Sequence, residues 1–279
     1  LFPIRDNFEV RYHECLCNNL FKIKYKSLCK RDQMTSKTET LKQKLHLMQT
    51  NLASLVGIHE GMQVLDVGCS QCTFTACIAK LVGETGKVLA VDISDEYLKE
   101  MNKNLEKCKV KQLVRFVKAD AAELSSILTP QSFDAVVSYR FIEELTDTEK
   151  LQRIIAEMAK LIRQNGKVAM IELSTETRNI AEENLIKLHR DIGGDYFPPP
   201  QEILEYMRNA GLKKVHIKTM ETEIGYSPTA FLKGAGGQDE IWQEFKEKIM
   251  EKLWPLVKQY GMKYPPINIF LGQKTQNKG

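Results

Sequence analysis

Two short apolar runs, Val64-Leu-Asp-Val-Gly68 and Val88-Leu-Ala-Val-Asp92, restrict this chain more than any other feature. Each is too continuous to be a half-exposed strand and too short to be a helix, so each reads as a strand buried on both faces. A glycine turn follows the first run, and a helix-like stretch, 73–82, joins the two. Strand–helix–strand in this order makes parallel neighbours. Gly68 supplies a turn tight enough for backbone to approach a ligand. Asp92 ends the second strand, where a carboxylate can accept from two ribose hydroxyls.

The loop 68–73 discriminates between nucleotide ligands. A dinucleotide needs G-x-G-x-x-G so that its pyrophosphate can lie on bare backbone and helix N–H groups. Only Gly68 is present here, with Ser70 at the second glycine position and Cys72 beyond it, which disfavours NAD. S-adenosylmethionine (SAM) carries no phosphate and tolerates a loop with fewer glycines.

Further runs follow in order: Lys118-Ala-Asp120-Ala121, Phe133-Asp-Ala-Val-Val-Ser138 and Asn165-Gly-Lys-Val-Ala-Met-Ile171. With Leu65-Asp-Val-Gly-Cys69 and Val91-Asp92 they resemble the ordered motifs of class I SAM-dependent methyltransferases, in the branch similar to quinone-biosynthesis and small-molecule enzymes. The resemblance runs from about residue 40 to 222. It implies a Rossmann-like, mostly parallel seven-stranded sheet with helices on both faces, and SAM as cofactor. It places Asp66 and Gly68 at the methionine part, Asp92 at the ribose, and Asp120 with Ala121 at the adenine. Cys69, Ser70, Ile93 and Ser138 complete the implied cofactor set. Ser70 and Cys72 depart from the glycines usual in the family.

Strand and helix periods alternate through 63–67, 73–82, 87–91, 95–106, 113–118, 132–138, 147–163 and 166–172, as a doubly wound sheet requires. Gln164-Asn-Gly166 reads as the turn that ends a helix before strand five. A helix is expected over 38–55, with Leu41, Leu45, Met48, Leu52 and Leu55 on one face. After strand five come a polar helix over 177–192, the breaker Gly193-Gly194 with Pro198 to Pro200, a helix over 201–210 and a strand over 213–219. The segment 177–200 reads as a cover, helped by 224–237 with its Gly234-Ala-Gly-Gly237 joint. An amphipathic helix over 241–260 carries Trp242, Phe245, Ile249 and Leu253, and Pro255 kinks it. The strand 267–272 is expected to be antiparallel at the sheet edge.

Methyl transfer from a sulfonium needs alignment of the nucleophile and exclusion of water, and in some cases a base, while the neutral thioether leaving group needs no acid. The residues after strand four, Tyr139-Arg-Phe-Ile-Glu-Glu144, stand where such groups are wanted. Glu144 is the candidate base, and relatives often carry histidine in the 143–144 pair. Glu143 is expected to face the cofactor region or cap the next helix. Tyr139 and Arg140 are candidates for orienting an anionic acceptor, since arginine clamps carboxylates in a bidentate way. Glu172, Tyr196 and Phe197 are the candidate acceptor contacts. His189 on the polar helix reads as exposed. A binding or regulatory protein that keeps the fold and SAM without catalysis is the alternative, motivated by Ser70, Cys72 and the absent histidine.

Composition excludes other classes. The formal net charge is +4, and residues 1–44 hold 10 Lys/Arg against 5 Asp/Glu, so the remainder is nearly neutral. That argues against a nucleic-acid enzyme with a broad basic cleft. No apolar run approaches the ~20 residues of a membrane span, and no apolar core of an export signal follows the start. Seven cysteines, several inside the core motifs, suit a reducing cytoplasm. Cys69-x-x-Cys72 has knuckle spacing but no second pair to complete a zinc site, so no metal is expected. Cys15, Cys17 and Cys29 have donors for a thiophilic species such as arsenite, without a counterpart after strand five. The oligomeric state is not legible.

Residues 1–33 read as a leader, helical or non-native, ahead of a methyltransferase domain over 34–279. A chain shortened to begin at Met34 is expected to keep its circular-dichroism spectrum and melt cooperatively; insoluble or non-cooperative protein would place the leader in the core.

Overall fold

The structure, a computed structural model, describes residues 36–226 and 247–275, with side chains from residue 41. The leader 1–33, Trp242, Phe245 and the joint 234–237 lie outside the described residues. The central run forms β1 (Gln63–Val67), with Val64, Leu65 and Val67 fully buried. It pairs in parallel with β2 (Lys87–Asp92) on one side and β4 (Phe133–Tyr139) on the other. β3 (Val114–Lys118) lies outside β2, and β5 (Ile162–Leu173) outside β4, both parallel. β6 (Lys213–Met220) and β9 (Ile267–Gln273) complete a seven-stranded sheet in the order β3-β2-β1-β4-β5-β9-β6. Two short strands, β7 (Gly225–Tyr226) and β8 (Met262–Lys263), form a separate antiparallel pair.

Helices cover both faces because every strand near the centre is apolar on both. One face carries α1 (Ser36–Val56), α2 (Thr73–Val82) and α3 (Leu98–Lys107). There Met48, Leu52, Ala53 and Val56 of α1 join Ile78 and Val82 of α2 in one core cluster with Val64, Val88 and Val137 of the sheet. The other face carries α4 (Leu124–Ile127), α5 (Thr148–Leu161) and, beyond the cover, α7 (Pro200–Asn209). The Asp147 side chain caps α5 by accepting from the N–H groups of Glu149 and Lys150. Leu151, Ile154, Ile155 and Met158 then fall on one stripe and pack with Leu65, Leu89 and Val136. The segment 177–200, expected to be a cover, contains α6 (Ile180–Lys187), which widens into a π turn over Leu188–Ile192. A second π turn over Ile249–Leu253 passes into α8 (Trp254–Tyr260), with Pro255 in its first turn, so the expected kink is a change of helical pitch at the proline.

Two local expectations need correction. The antiparallel strand near the C-terminus is present, but it lies one place in from the edge, hydrogen-bonded to β5 on one side and β6 on the other. Burial explains the order: Ile267 to Gly272 are buried throughout, whereas β6 alternates toward solvent with lysines, which suits an edge. No turn forms at Gln164-Asn-Gly166. β5 begins at Ile162 directly after α5, and residues 163–166 bulge out of register with β4. Asn165 takes φ 63° there, and its N–H donates to Lys274 O at 2.8 Å.

α1 precedes the first strand, yet it is built into the core. Leu52 is 0% exposed, so Leu52→Ala is expected to lower unfolding free energy by about 2–5 kcal/mol in urea titrations. A loss under ~1 kcal/mol would mean that α1 only rests on the surface.

Candidate active site

The loop after β1 adopts the geometry that its departures from glycine would seem to forbid. Gly68 has φ 74°, and Ser70 and Cys72, which stand in glycine positions of the family pattern, have φ 45° and 57°. Left-handed backbone in such residues costs of order 1–2 kcal/mol each. It is held by hydrogen bonds from neighbouring strand ends. Gly68 and Cys69 N–H both donate to Val91 O, at 2.8 and 3.0 Å. Ser70 N–H donates to Asp92 Oδ2 at 2.8 Å, and Ser94 N–H to Oδ1 at 3.0 Å. Asp92 thus joins two loops at the carboxyl end of the sheet. A Cβ on Gly68 would clash with the edge of the Phe141 ring.

The other implied cofactor residues gather at the same edge. Asp66 is buried in β1 and accepts from Thr75 Oγ1 at 2.6 Å. Burial pushes its carboxyl up to about 7, with the Thr75 hydrogen bond opposing and Asp92 adding to the shift. Burial also raises the Asp92 carboxyl, against the N–H groups it accepts from. Asp120 caps the turn Ala121–Glu123 by accepting from Ala122 N–H at 2.9 Å, and pairs with Lys150 at 2.9 Å. Ile93 is 39% exposed beside Asp92. Ser138 is buried in β4, and neither its Oγ nor that of Ser70 has a partner among the described residues. A cleft lined by Asp66, Gly68, Cys69, Ser70, Tyr139, Arg140 and Glu144 opens over this loop. Gln71, Thr73 and Phe74 line it as well. Sequence reasoning passed over them, although they continue the loop directly. Phe74 stacks on Tyr139 with centroids 4.8 Å apart. An orphaned Ser70 hydroxyl, a glycine approach at residue 68 and a strand-end carboxylate at Asp92 fit the adenosine and methionine halves of SAM.

Beyond β4 the chain enters the turn Ile142–Glu144. Arg140 has φ 52°, and its N–H donates to Ile171 O at 2.8 Å. Its guanidinium is buried and held by Glu143 Oε1, at 3.0 Å from Nε and 2.6 Å from a terminal nitrogen. A terminal nitrogen also lies 3.0 Å from His189 Nε2, and His189 Nδ1 lies 2.6 Å from Asp195 Oδ2. Arg140 is thus engaged within the protein while it also lines the cleft. Glu143 does not cap α5, because Asp147 does. His189 is buried rather than exposed, because the π turn swings it inward onto Arg140. Asp195, six positions on, gives no helical spacing by which this link could be read. Glu143, His189 and Asp195 have oxygen and nitrogen ligand atoms within 4.8 Å of one another; the guanidinium already supplies the cation there.

Glu144 points the other way and lines the cleft. Burial holds its carboxyl well above the usual range, and Glu143, Asp92 and Asp195 add to this against Arg140. Glu172, at the end of β5, accepts from the N–H groups of Phe141 and Ile142 at 3.2 and 3.1 Å and so braces the turn. Burial and then Glu143 push its carboxyl up to about 8. It lines a second, smaller cavity with Tyr196 and Phe197, so the three candidate acceptor contacts do meet. Tyr196 N–H donates to Glu143 O at 2.8 Å, which ties the cover to the turn. Cys69 and Cys72 are both buried with free thiols.

Residues 58–217 match a family model described as a methyltransferase domain. A demethylmenaquinone methyltransferase of Staphylococcus aureus (strain JH9) is 27% identical over 199 residues, which span 69% of this chain and 79% of that protein. Among solved structures, phosphoethanolamine N-methyltransferase 2 of Haemonchus contortus in complex with SAM gives a TM-score of 0.58 at 18% identity, covering 82% of this chain and 53% of that one. The [4+2]-cyclase SpnF gives 0.57 at 15% identity, covering 84% and 82%. At such identities the two structures speak for the fold alone. Among the described residues, no helix is long and apolar enough to cross a membrane.

The raised carboxyls make a stability prediction. Asp66 and Glu172 hold protons more tightly folded than unfolded, so what they add to stability is complete below pH ~4 and lost as pH rises through about 7 and 8. Each contributes a slope of at most ~1.4 kcal/mol per pH unit. Glu172→Gln is expected to flatten the fall in urea midpoint between pH 5 and 8; an unchanged slope would show that Glu172 titrates normally.

Proposed function

The chain belongs to the methyltransferase-domain family, with the Rossmann-like fold of class I SAM-dependent methyltransferases, and from that membership we propose that it methylates a small-molecule acceptor using SAM. The observation that carries the reading is the Asp92 junction, where one carboxylate holds the Ser70 loop at the carboxyl end of the sheet beside an open cleft. Asp66, Gly68, Cys69 and Ser70 would hold the methionine part, Asp92 and Ile93 the ribose, and Asp120 with Ala121 the adenine, with Ser138 at the end of β4 beside the Gly68 loop. When bound, the cofactor supplies an electrophilic methyl group on a sulfonium.

The chain's own residues supply alignment, exclusion of water and a place for a proton. Tyr139, stacked on Phe74, forms a rigid wall of the cleft. Glu144 stands beside it with a carboxyl of raised basicity. Its ionised form accepts the acceptor's proton at a carboxylate oxygen, and general bases of this kind contribute ~10²–10⁴-fold. Arg140 orients Glu143 and the turn rather than the acceptor. The cover 177–200, with Tyr196 and Phe197, closes over the acceptor within a domain that spans 34–279. A near-neutral surface and a reducing, cytoplasmic setting fit a small-molecule substrate.

Calorimetric titration with SAM, followed by a tritiated-methyl assay over candidate acceptors, tests the reading. Asp92→Ala is expected to weaken SAM by at least about tenfold, since two charge-assisted hydrogen bonds worth ~1.5–3 kcal/mol each are removed. Tyr196→Ala and Phe197→Ala are expected to slow methyl transfer while SAM affinity stays within about threefold, ~0.7 kcal/mol. Unchanged SAM affinity in folded Asp92→Ala protein would end the cofactor assignment. Tight binding with no transfer to any acceptor would instead assign a binding role.

A further inference from the structure

Building on the methyl-transfer reading, we propose that the acceptor is a small organic amine whose ammonium group serves only as its anchor, held in the second cavity between Glu143 and Glu172, while a different atom of the molecule, one with a free lone pair, receives the methyl group. The two glutamates are 1% and 5% exposed, and both line that cavity. Each spends one oxygen within the protein: Glu143 Oε1 on Arg140, Glu172 Oε1 on the turn N–H groups. Oε2 of each has no hydrogen-bond partner among the described residues. Buried carboxylate oxygens left without a donor are costly and rare. Two of them on one cavity define a place for a molecule that brings N–H donors.

Charge selects a cation over a neutral donor. Two acidic side chains, Glu143 and Glu172, line the cavity, and behind Glu143 the basic groups Arg140 and His189 are already engaged, with Glu143 and with Asp195. The remaining walls select an organic cation over a metal ion. Tyr196, Phe197 and Phe270 are aromatic, and such faces attract ammonium groups while offering a metal no ligands. Asn268 also lines the cavity, its amide oxygen already accepting from the Thr219 hydroxyl at 2.9 Å. The space is that of a water-sized group, which suits –NH₃⁺ with the rest of the molecule directed out under the cover. The turn Ile142–Glu144 separates the two spaces, with Glu144 on the cofactor cleft and Glu143 on this cavity. An amine anchored here is one turn of backbone away from the proposed base.

The full chain is titrated calorimetrically with phenethylamine, with 2-phenylethanol as its neutral counterpart, and separately with S-adenosylhomocysteine. The amine is expected to bind at least about tenfold (~1.4 kcal/mol) more tightly than the alcohol. Glu172→Gln is expected to remove that preference while S-adenosylhomocysteine affinity stays within about threefold. Glu172→Gln is the decisive variant because it keeps the acceptor for the turn N–H groups, whereas Glu143→Gln disturbs buried Arg140. Equal binding of amine and alcohol, or an amine preference that survives in folded Glu172→Gln protein, would overturn the proposal and leave a proton shared between the two carboxyls as the explanation. Amine preference without S-adenosylhomocysteine binding would support the cavity assignment and overturn the methyl-transfer reading instead.

Discussion

The residue that the site turns on is Arg140, a buried cation in a backbone conformation that its side chain type rarely adopts. Its N–H is fixed to β5, and its guanidinium holds Glu143 and His189. A buried ion pair of this kind contributes less to stability than its short distances imply, because both partners leave water. What it supplies is position. Glu143 is turned inward and Glu144 outward, and His189 with Asp195 brings the cover down onto the same point. Removing either partner would leave the other charge buried and alone, which costs several kcal/mol. The cleft, the second cavity and the segment that carries His189 and Asp195 therefore meet at one cluster of charge.

A second tension lies in the loop after β1. Ser70 and Cys72 occupy left-handed conformations that glycine would adopt without strain. The loop keeps its path because Asp92 and Val91 O capture three of its N–H groups. Glycines would make this loop cheaper in the folded state and more disordered in the unfolded one. Side chains here trade backbone ease for a hydroxyl at the cleft wall and a thiol packed in the core.

The parts of the molecule legible in the sequence are those fixed by local pattern. Continuous apolar runs announced the parallel strands, and the acids at their ends announced the ligand edge, because strand burial and strand-end chemistry both act within a few residues. What was not legible depends on distant partners. The order β5-β9-β6 is a contest among strands far apart in the chain, and no local pattern states its outcome. Residues 163–166 have turn composition, yet they bulge within a strand because pairing with Lys274 satisfies their backbone. His189 looks exposed on a polar helix, until a π turn and Gly193-Gly194 rotate it toward Asp195. Glu143 and Glu144 look alike, and only the path of the turn gives them opposite faces.

The place of β9 bears on how the molecule is made. β5 and β6 flank it and both precede it in the sequence, so during synthesis they emerge with a strand-wide gap between them. Until residues 267–273 leave the ribosome, the inner edge of each exposes a row of unpaired N–H and C=O groups, and such edges recruit other chains. Closing the gap is a long-range pairing and correspondingly slow. The nascent protein thus carries an aggregation hazard from the emergence of β6 until β9 arrives, and a chaperone that shields sheet edges would matter more to its yield than one that assists helix formation.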